Sequence, residues 1–216
     1  MADRTDFLYP FIEGDEHDAA TLLTDLGASA VAKAQTSAAL RTATVAANAR
    51  ALAAAADALA AAFAAGGRLF TFGNGGSSTD AASLATLFTR PPWGAALAAR
   101  CLVEDTAIVT ALANDIGFDL VFARQLIAHG ASGDVALGLS TSGSSRNVLV
   151  AFAEARRRGI TTIGLAGYDG GEMAASPDVQ HCFVVRSESV HRIQETQAAL
   201  GFTLWEAVQA RTGRHG

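Results

Sequence analysis

Short apolar runs alternate with helical stretches from about residue 67 to the end of the chain. Residues 67–73 (GRLFTFG), 95–103 (AALAARCLV), 134–140 (DVALGLS), 161–167 (TTIGLAG) and 178–186 (DVQHCFVVR) each hold an apolar run of strand length. The runs are nearly continuous rather than alternating, as expected of strands covered on both faces of a parallel sheet. Between them, residues 77–88, 105–115, 119–130 and about 145–158 read as helices, and a long helix over about 190–209 closes the pattern. Strand and helix in alternation, with connections of this length, predict an α/β fold. It is a three-layer sandwich in which right-handed crossovers place helices on both faces of the sheet.

The first third of the chain reads differently. Residues 1–14 mix aromatics with Pro10 and Gly14 and are expected to form an arm. Residues 15–65 are helical in composition, with a break expected over 34–40, where Thr36 or Ser37 offers a cap. This gives an N-terminal helical pair (15–65) ahead of an α/β core with its C-terminal helix (66–210), all within one domain spanning 15–216. The segment ALAAAADALAAAFAAGG (51–67) carries Asp57 and is alanine-rich, so it reads as a packed helix rather than a membrane span.

Composition narrows the function. At 50% hydrophobic and 17% charged residues, the chain can bury a large core and general disorder is excluded. A net charge of −5 argues against non-specific nucleic-acid binding, which needs an excess of cations, but leaves room for a small local anion site. Lys33 is the sole lysine, which makes a lysine-dependent mechanism improbable. Cys101 and Cys182 lie in no C-x-x-C pair and are expected to be reduced core residues. No signal-peptide pattern opens the chain, so the expected location is the cytoplasm.

Two loops carry the candidate chemistry. GNGGSS (73–78) and STSGSS (140–145) each join a strand to a helix at the sheet edge where α/β proteins bind ligands. Of the six residues from Ser140 to Ser145, five bear a hydroxyl and the sixth is glycine. Each loop ends at a helix N-terminus, where unpaired N–H groups and the helix dipole favour an anion. Hydroxyls of Ser77, Ser140, Thr141, Ser142 and Ser145 add donors, so the pair has the makings of a phosphate cradle. A single loop of this kind is equally well explained as helix capping; two in one sheet favour an anion site. Neither is a Walker A loop or a G-x-G-x-x-G turn.

The blocks GNGGSSTDA, DTAIVTALANDIGFDLVFARQ, GDVALGLSTSGSSRNVLVAFAEARRRGITTIGLAGYDGGEM and RIQE together resemble the sugar isomerase (SIS) domain of bacterial phosphoheptose isomerases and of the related DnaA-initiator-associating proteins. The resemblance implies a five-stranded parallel sheet, an N-terminal helical pair and a homotetramer with sites at subunit interfaces. It also implies a phosphosugar held by Asn74, Gly75, Gly76, Ser77, Ser140, Thr141, Ser142 and Ser145. The family's isomerases interconvert a ketose phosphate, sedoheptulose 7-phosphate, and an aldose phosphate, a proton transfer that needs a positioned acid and base. They supply a His and a Glu four residues apart on the helix after the first loop, and a Gln and a His eight residues apart on the last helix. In some members these four hold zinc.

This chain departs from that pattern. The His and Glu positions are Ser83 and Leu87, Gln194 is kept, and the second His is Phe202. Leucine and phenylalanine can neither bind a metal nor carry a proton, so no zinc or other cofactor is expected. The aspartate ahead of the family's RIQ is His191, and Asp105 matches a family aspartate after the second strand. Three readings follow: a phosphosugar-binding sensor or scaffold; an isomerase with an acid–base set rearranged around His191, Gln194 and Asp105; or a protein-binding module associated with a replication initiator. The expected ligands are a phosphorylated sugar and further copies of the chain, with a protein partner in the third reading and with neither membrane nor nucleic acid bound directly. Asp80 is expected to support the first helix N-terminus, Glu195 to cap or pair with an arginine, and His181 to be structural. Trp93 and Trp205 are expected in the core or an interface. Arg146, next to the second loop, is a candidate for reaching an anion.

Overall fold

The computed structural model describes residues 19–213; the expected arm over 1–14, and His17 and His215, lie outside them. The chain divides into two compact units, Met1–Ala39 and Leu40–Gly216. The described part of the first unit is the start of one helix, α1 (Ala19–Ala47), with Leu23, Leu26 and Val31 exposed along it. The helical break expected over 34–40 is absent. The Thr36 hydroxyl donates back to the Ala32 carbonyl (2.8 Å), a bond made inside a helix, so it does not cap a new one. The break falls at Asn48, whose side-chain amide and backbone N–H both donate to the Thr44 carbonyl (2.8 and 3.1 Å) and close α1. Helix α2 (Ala49–Ala64) then begins and buries Leu52, Ala55, Ala56 and Leu59. Among the described residues no single helix is long and apolar enough to cross a membrane.

The second unit alternates strand and helix as the apolar pattern predicts. Its elements are β1 (Leu69–Gly73), α3 (Gly76–Thr89), β2 (Ala99–Cys101), α4 (Thr106–Asp115), α5 (Val121–His129), β3 (Val135–Ser140), α6 (Arg146–Arg157), β4 (Thr161–Gly167), α7 (Gly171–Ala175), β5 (His181–Val185) and α8 (Val190–Thr212). The strands form one sheet in the order β2-β1-β3-β4-β5, every neighbouring pair parallel. Two strands are shorter than the apolar runs. β2 keeps three residues of 95–103, because Ala95 is instead held at both its N–H and carbonyl by the Gln209 side chain (2.9 Å each). β5 starts at His181, because Gln180 is taken up by Thr162, exchanging side-chain and backbone bonds of 3.0 Å. The short α7, inside a Gly-rich loop, was not expected; five residues are too few to show a helical period.

This strand order has one switch point. The chain leaves β1 toward β2 in one direction and returns through α4 and α5 to β3 on the other side, continuing to β4 and β5. Right-handed crossovers in opposite directions put the helices on opposite faces. On one face α2, α3 and α8 pack on Leu69, Val135, Leu137, Leu139, Ile163 and Leu165. On the other, α5, α6 and α7 pack on Phe70, Phe72, Ala136 and Ala166. Alternate residues of a strand point to opposite faces, which is why each strand feeds both cores. Reversal of direction between β1 and β3 leaves a crevice beyond their carboxyl ends, and both Gly/Ser loops stand there.

Candidate functional site

The two loops are held as one structure. β1 and β3 are neighbours in register, with Gly73 opposite Leu139. Asn74, just past β1, and Asn147, in the first turn of α6, exchange two side-chain hydrogen bonds of 2.8 and 2.9 Å. Asn147 is 2% exposed, so the pair is tied below the surface rather than in solvent, where water would compete. In the sequence, the one cue to Asn147 is a polar residue at the head of the apolar stretch of α6.

The second loop organises around Ser140. Its hydroxyl lies 2.9 Å from the Ser145 hydroxyl and 3.3 Å from that of Ser142, and accepts the Gly143 N–H at 3.1 Å. The Ser142 hydroxyl in turn accepts the Ser144 N–H at 3.2 Å. The capping explanation of the serines is thereby tested. Ser145 stands at the N-cap of α6 but makes no side-chain cap bond, because its hydroxyl is turned to Ser140. Gly75 stands at the N-cap of α3 and has no side chain to cap with. Two helix N-termini therefore meet at the switch point with neither capped by the side chain at its own N-cap, which leaves positive dipole ends and N–H donors for an anion.

Glycine is required at two positions here. Gly75 takes φ of +54° to turn from β1 into α3, a conformation costly for side chains other than glycine. Gly143 takes φ of +65°, and a Cβ there would run into the Gly170 carbonyl. That contact fits the loop against the start of α7, where the Met173 N–H donates to Gly143 O (2.8 Å) and the Glu172 N–H to the Ser144 hydroxyl (3.2 Å). Ser77 is buried, with its N–H donating to Asn74 O (3.0 Å). Gly75, Gly76 and Ser142 are exposed and Thr141 is half-buried. The residues expected to hold phosphate thus fall on two adjoining loops at one crevice.

The expected acid–base residues have separate surroundings. Gln194 is half-buried on α8, and its amide lies against Gly76 closely enough that a Cβ on Gly76 would collide with it. His191 is exposed in the first turn of α8. Asp105 caps α4, accepting the Ile108 N–H at 3.1 Å, and lines a shallow hollow with Arg100, Cys101, Glu104 and Thr106. Arg146 is exposed and lines another hollow beside Glu172 and Asp178. Glu195 is exposed on α8 and pairs with no arginine among the described residues.

The positions where the resemblance would place metal or acid–base groups come together. Ser83, Leu87 and Phe202 line one cavity of about 170 Å³ between α3, α8 and the sheet, with Leu84, Leu139, Leu165, Ala198 and Gly201. Besides Ser83, two polar side chains stand among these mostly apolar walls, Asp80 and Gln197. Asp80 Oδ2 is buried without a hydrogen-bond partner, as are both amide atoms of Gln197. Asp80 was expected to support the helix N-terminus. It lies past the first turn of α3 and faces this cavity instead. Burial pushes its pKa up from the ordinary 3.8. The unfolded carboxyl ionises near 3.8 while the folded one keeps its proton to higher pH, so folding loses stability as pH rises through that interval. Asp80→Asn is therefore expected to melt higher than the parent chain at neutral pH, with the gain disappearing below about pH 3.8. Melting curves across pH check this, and a variant that melts lower at neutral pH contradicts it.

Residues outside the crevice read as structural. His181 opens β5, and burial lowers its pKa. Both cysteines are free; burial raises the Cys101 thiol and pushes that of Cys182 up to about 11. Trp205 is fully buried, with Trp93 and Phe202 rings at 4.6 and 5.2 Å.

A family model described as the SIS domain matches residues 34–167. The chain is 46% identical over 147 residues to a phosphoheptose isomerase of Paramagnetospirillum magneticum, covering 67% of this chain and 76% of that one. It is 43% identical over 143 residues to the phosphoheptose isomerase of Sulfurimonas denitrificans, covering 63% and 70%. Among solved structures, the phosphoheptose isomerase of Neisseria gonorrhoeae superimposes with a TM-score of 0.79 at 33% identity, over 86% of this chain and 99% of that one. The Francisella tularensis phosphoheptose isomerase gives a TM-score of 0.76 at 29% identity, over 84% and 97%.

Proposed function

We propose that this chain, which belongs to the SIS domain family, binds a phosphorylated sugar with its phosphate between the two Gly/Ser loops. The observation that carries the reading is the meeting of two helix N-termini, neither capped by its own N-cap side chain, joined through Asn74 and Asn147 at the switch point. Backbone N–H groups, the dipoles of α3 and α6 and the hydroxyls of Ser77, Ser140, Thr141, Ser142 and Ser145 supply the donors. The phosphoheptose isomerase relatives support the ligand class.

We propose further that the chain does not run an isomerisation through the family's usual residues, and that it acts as a sugar-phosphate sensor or scaffold. Leu87 and Phe202 offer neither a proton nor a lone pair, and Ser83 and Gln194 make too weak a set to hold zinc. Self-association and a cytoplasmic location are parts of the same proposal; the exposed Leu23, Leu26 and Val31 supply apolar surface for the former. Incubation with sedoheptulose 7-phosphate, with and without zinc, tests the chemistry by following proton exchange with solvent at the reacting carbons. The expected result is binding without exchange. Exchange that His191→Ala abolishes would replace this reading with an isomerase rearranged around His191, Gln194 and Asp105.

A further inference from the structure

Tyr168, just past β4, stands in a backbone conformation that is costly for a bulky residue. Nine glycines among the described residues take a positive φ, and Tyr168, at +52°, is the one other residue that does. It is the second residue of a tight turn closed by the Gly170 N–H, which donates to Gly167 O (2.8 Å). A positive φ at that place is ordinarily supplied by glycine, asparagine or aspartate. Strain of this kind persists where the surroundings hold it, and it clusters at ligand sites.

The strained backbone changes where the ring goes. Along β4, Ile163 and Leu165 pack on the α8 side of the sheet and Ala166 on the α6 side. Gly167 faces the α8 side, since a Cβ there would meet Ile193 and the Thr141 carbonyl. Strict alternation would send Tyr168 to the α6 side. It packs instead, half-buried, against the α8-side core. On that side α8 begins over the crevice, with Ile193 against Gly167 and Gln194 against Gly76 of the first loop. The same turn seats the second loop, because Gly143 closes on the Gly170 carbonyl. The Tyr168 hydroxyl makes no hydrogen bond among the described residues and is not one of their buried unpaired atoms, so it is open to a ligand.

Taken with the phosphosugar reading above, on which this rests, we propose that Tyr168 is a specificity residue of that site, its hydroxyl hydrogen-bonding the sugar portion of the ligand while the two loops hold the phosphate. A phenol both donates and accepts, as a sugar hydroxyl does, so the pair forms in either sense. Glycine would make this turn at less cost but would present nothing to a ligand. Packing alone would be served by a ring without the hydroxyl.

Titration calorimetry on the full chain tests this with sedoheptulose 7-phosphate and glucose 6-phosphate, and with inorganic phosphate measured by its displacement of the tighter sugar phosphate. Tyr168→Phe keeps the ring and is expected to weaken that sugar phosphate about 3- to 10-fold, the loss of one hydrogen bond. Tyr168→Gly makes the turn without strain, removes the ring as well, and is expected to weaken it further. Inorganic phosphate has no sugar to contact and is expected to bind both variants as it binds the parent chain. A Tyr168→Phe chain that binds the sugar phosphate as the parent does, or variants that lose sugar phosphate and inorganic phosphate equally, overturn the Tyr168 contact while leaving the cradle intact. So does a parent chain that binds both sugar phosphates no more tightly than inorganic phosphate. Failure of all three probes with the parent chain overturns the cradle and the Tyr168 contact with it.

Discussion

Ser140→Ala is expected to weaken binding of a sugar phosphate by about 10- to 100-fold, the equivalent of losing roughly 1–3 kcal/mol of buried hydrogen bonding. Ser140 is 3% exposed and is the centre of its loop, within hydrogen-bond distance of the Ser142 and Ser145 hydroxyls and the Gly143 N–H. Removing its oxygen frees the Ser145 hydroxyl to swing to its ordinary N-cap role on α6 and occupy donors that the account assigns to phosphate. The loss therefore combines a missing group with a competing one. Calorimetry with the parent and variant proteins checks it, with circular dichroism to confirm that the fold is retained. An unchanged affinity would mean that the serine network serves the loop alone.

Trp205→Ala is expected to cost about 3–5 kcal/mol of stability, a large share of the ~5–15 kcal/mol that holds a native chain together. Trp205 is fully buried on α8 and is contacted by the rings of Trp93 and Phe202. Truncation leaves a void between α8 and the sheet face that α2 and α3 share. For a chain of this size the melting temperature should fall by roughly 6–20 °C. Trp205→Phe should cost far less. The indole N–H is buried without a partner, so phenylalanine removes an unsatisfied donor along with some volume. Thermal melts of the two variants separate the terms: a phenylalanine variant as unstable as the alanine one would show that the indole N–H is satisfied in solution.

Much of the architecture was legible because buried parallel strands write themselves as apolar runs. β4 coincides with the run at 161–167, and β3 lies within a residue of 134–140. The Gly/Ser loops were legible as well, since glycine at a strand end and serines before a helix have few purposes. The N-terminal break was not. In a stretch dominated by alanine, propensity is nearly flat, and Thr36 can bond within the helix as readily as cap it. Asn48, with its side chain closing α1, decides the break through a local bond that composition does not reveal.

The site was legible in its chemistry and less so in its partners. Asn147 and Gln197 lie on helices where a polar residue normally faces water, so their buried positions follow from the packing of α6 against the sheet and of α8 against α3. Asp80 reads from spacing as a helix-dipole partner and is turned by that same packing into a cavity wall. The resemblance marks Ser83, Leu87 and Phe202 as departures from the family. The structure adds that they adjoin one cavity, whose walls are mostly apolar.

A crystal structure of the chain with a sugar phosphate bound tests the central claim most directly. The account predicts the phosphate between residues 75–77 and 141–145, its oxygens about 2.7–3.2 Å from backbone N–H groups and serine hydroxyls of both loops. A phosphate held by one loop alone, or bound in the hollow beside Arg146, would contradict it.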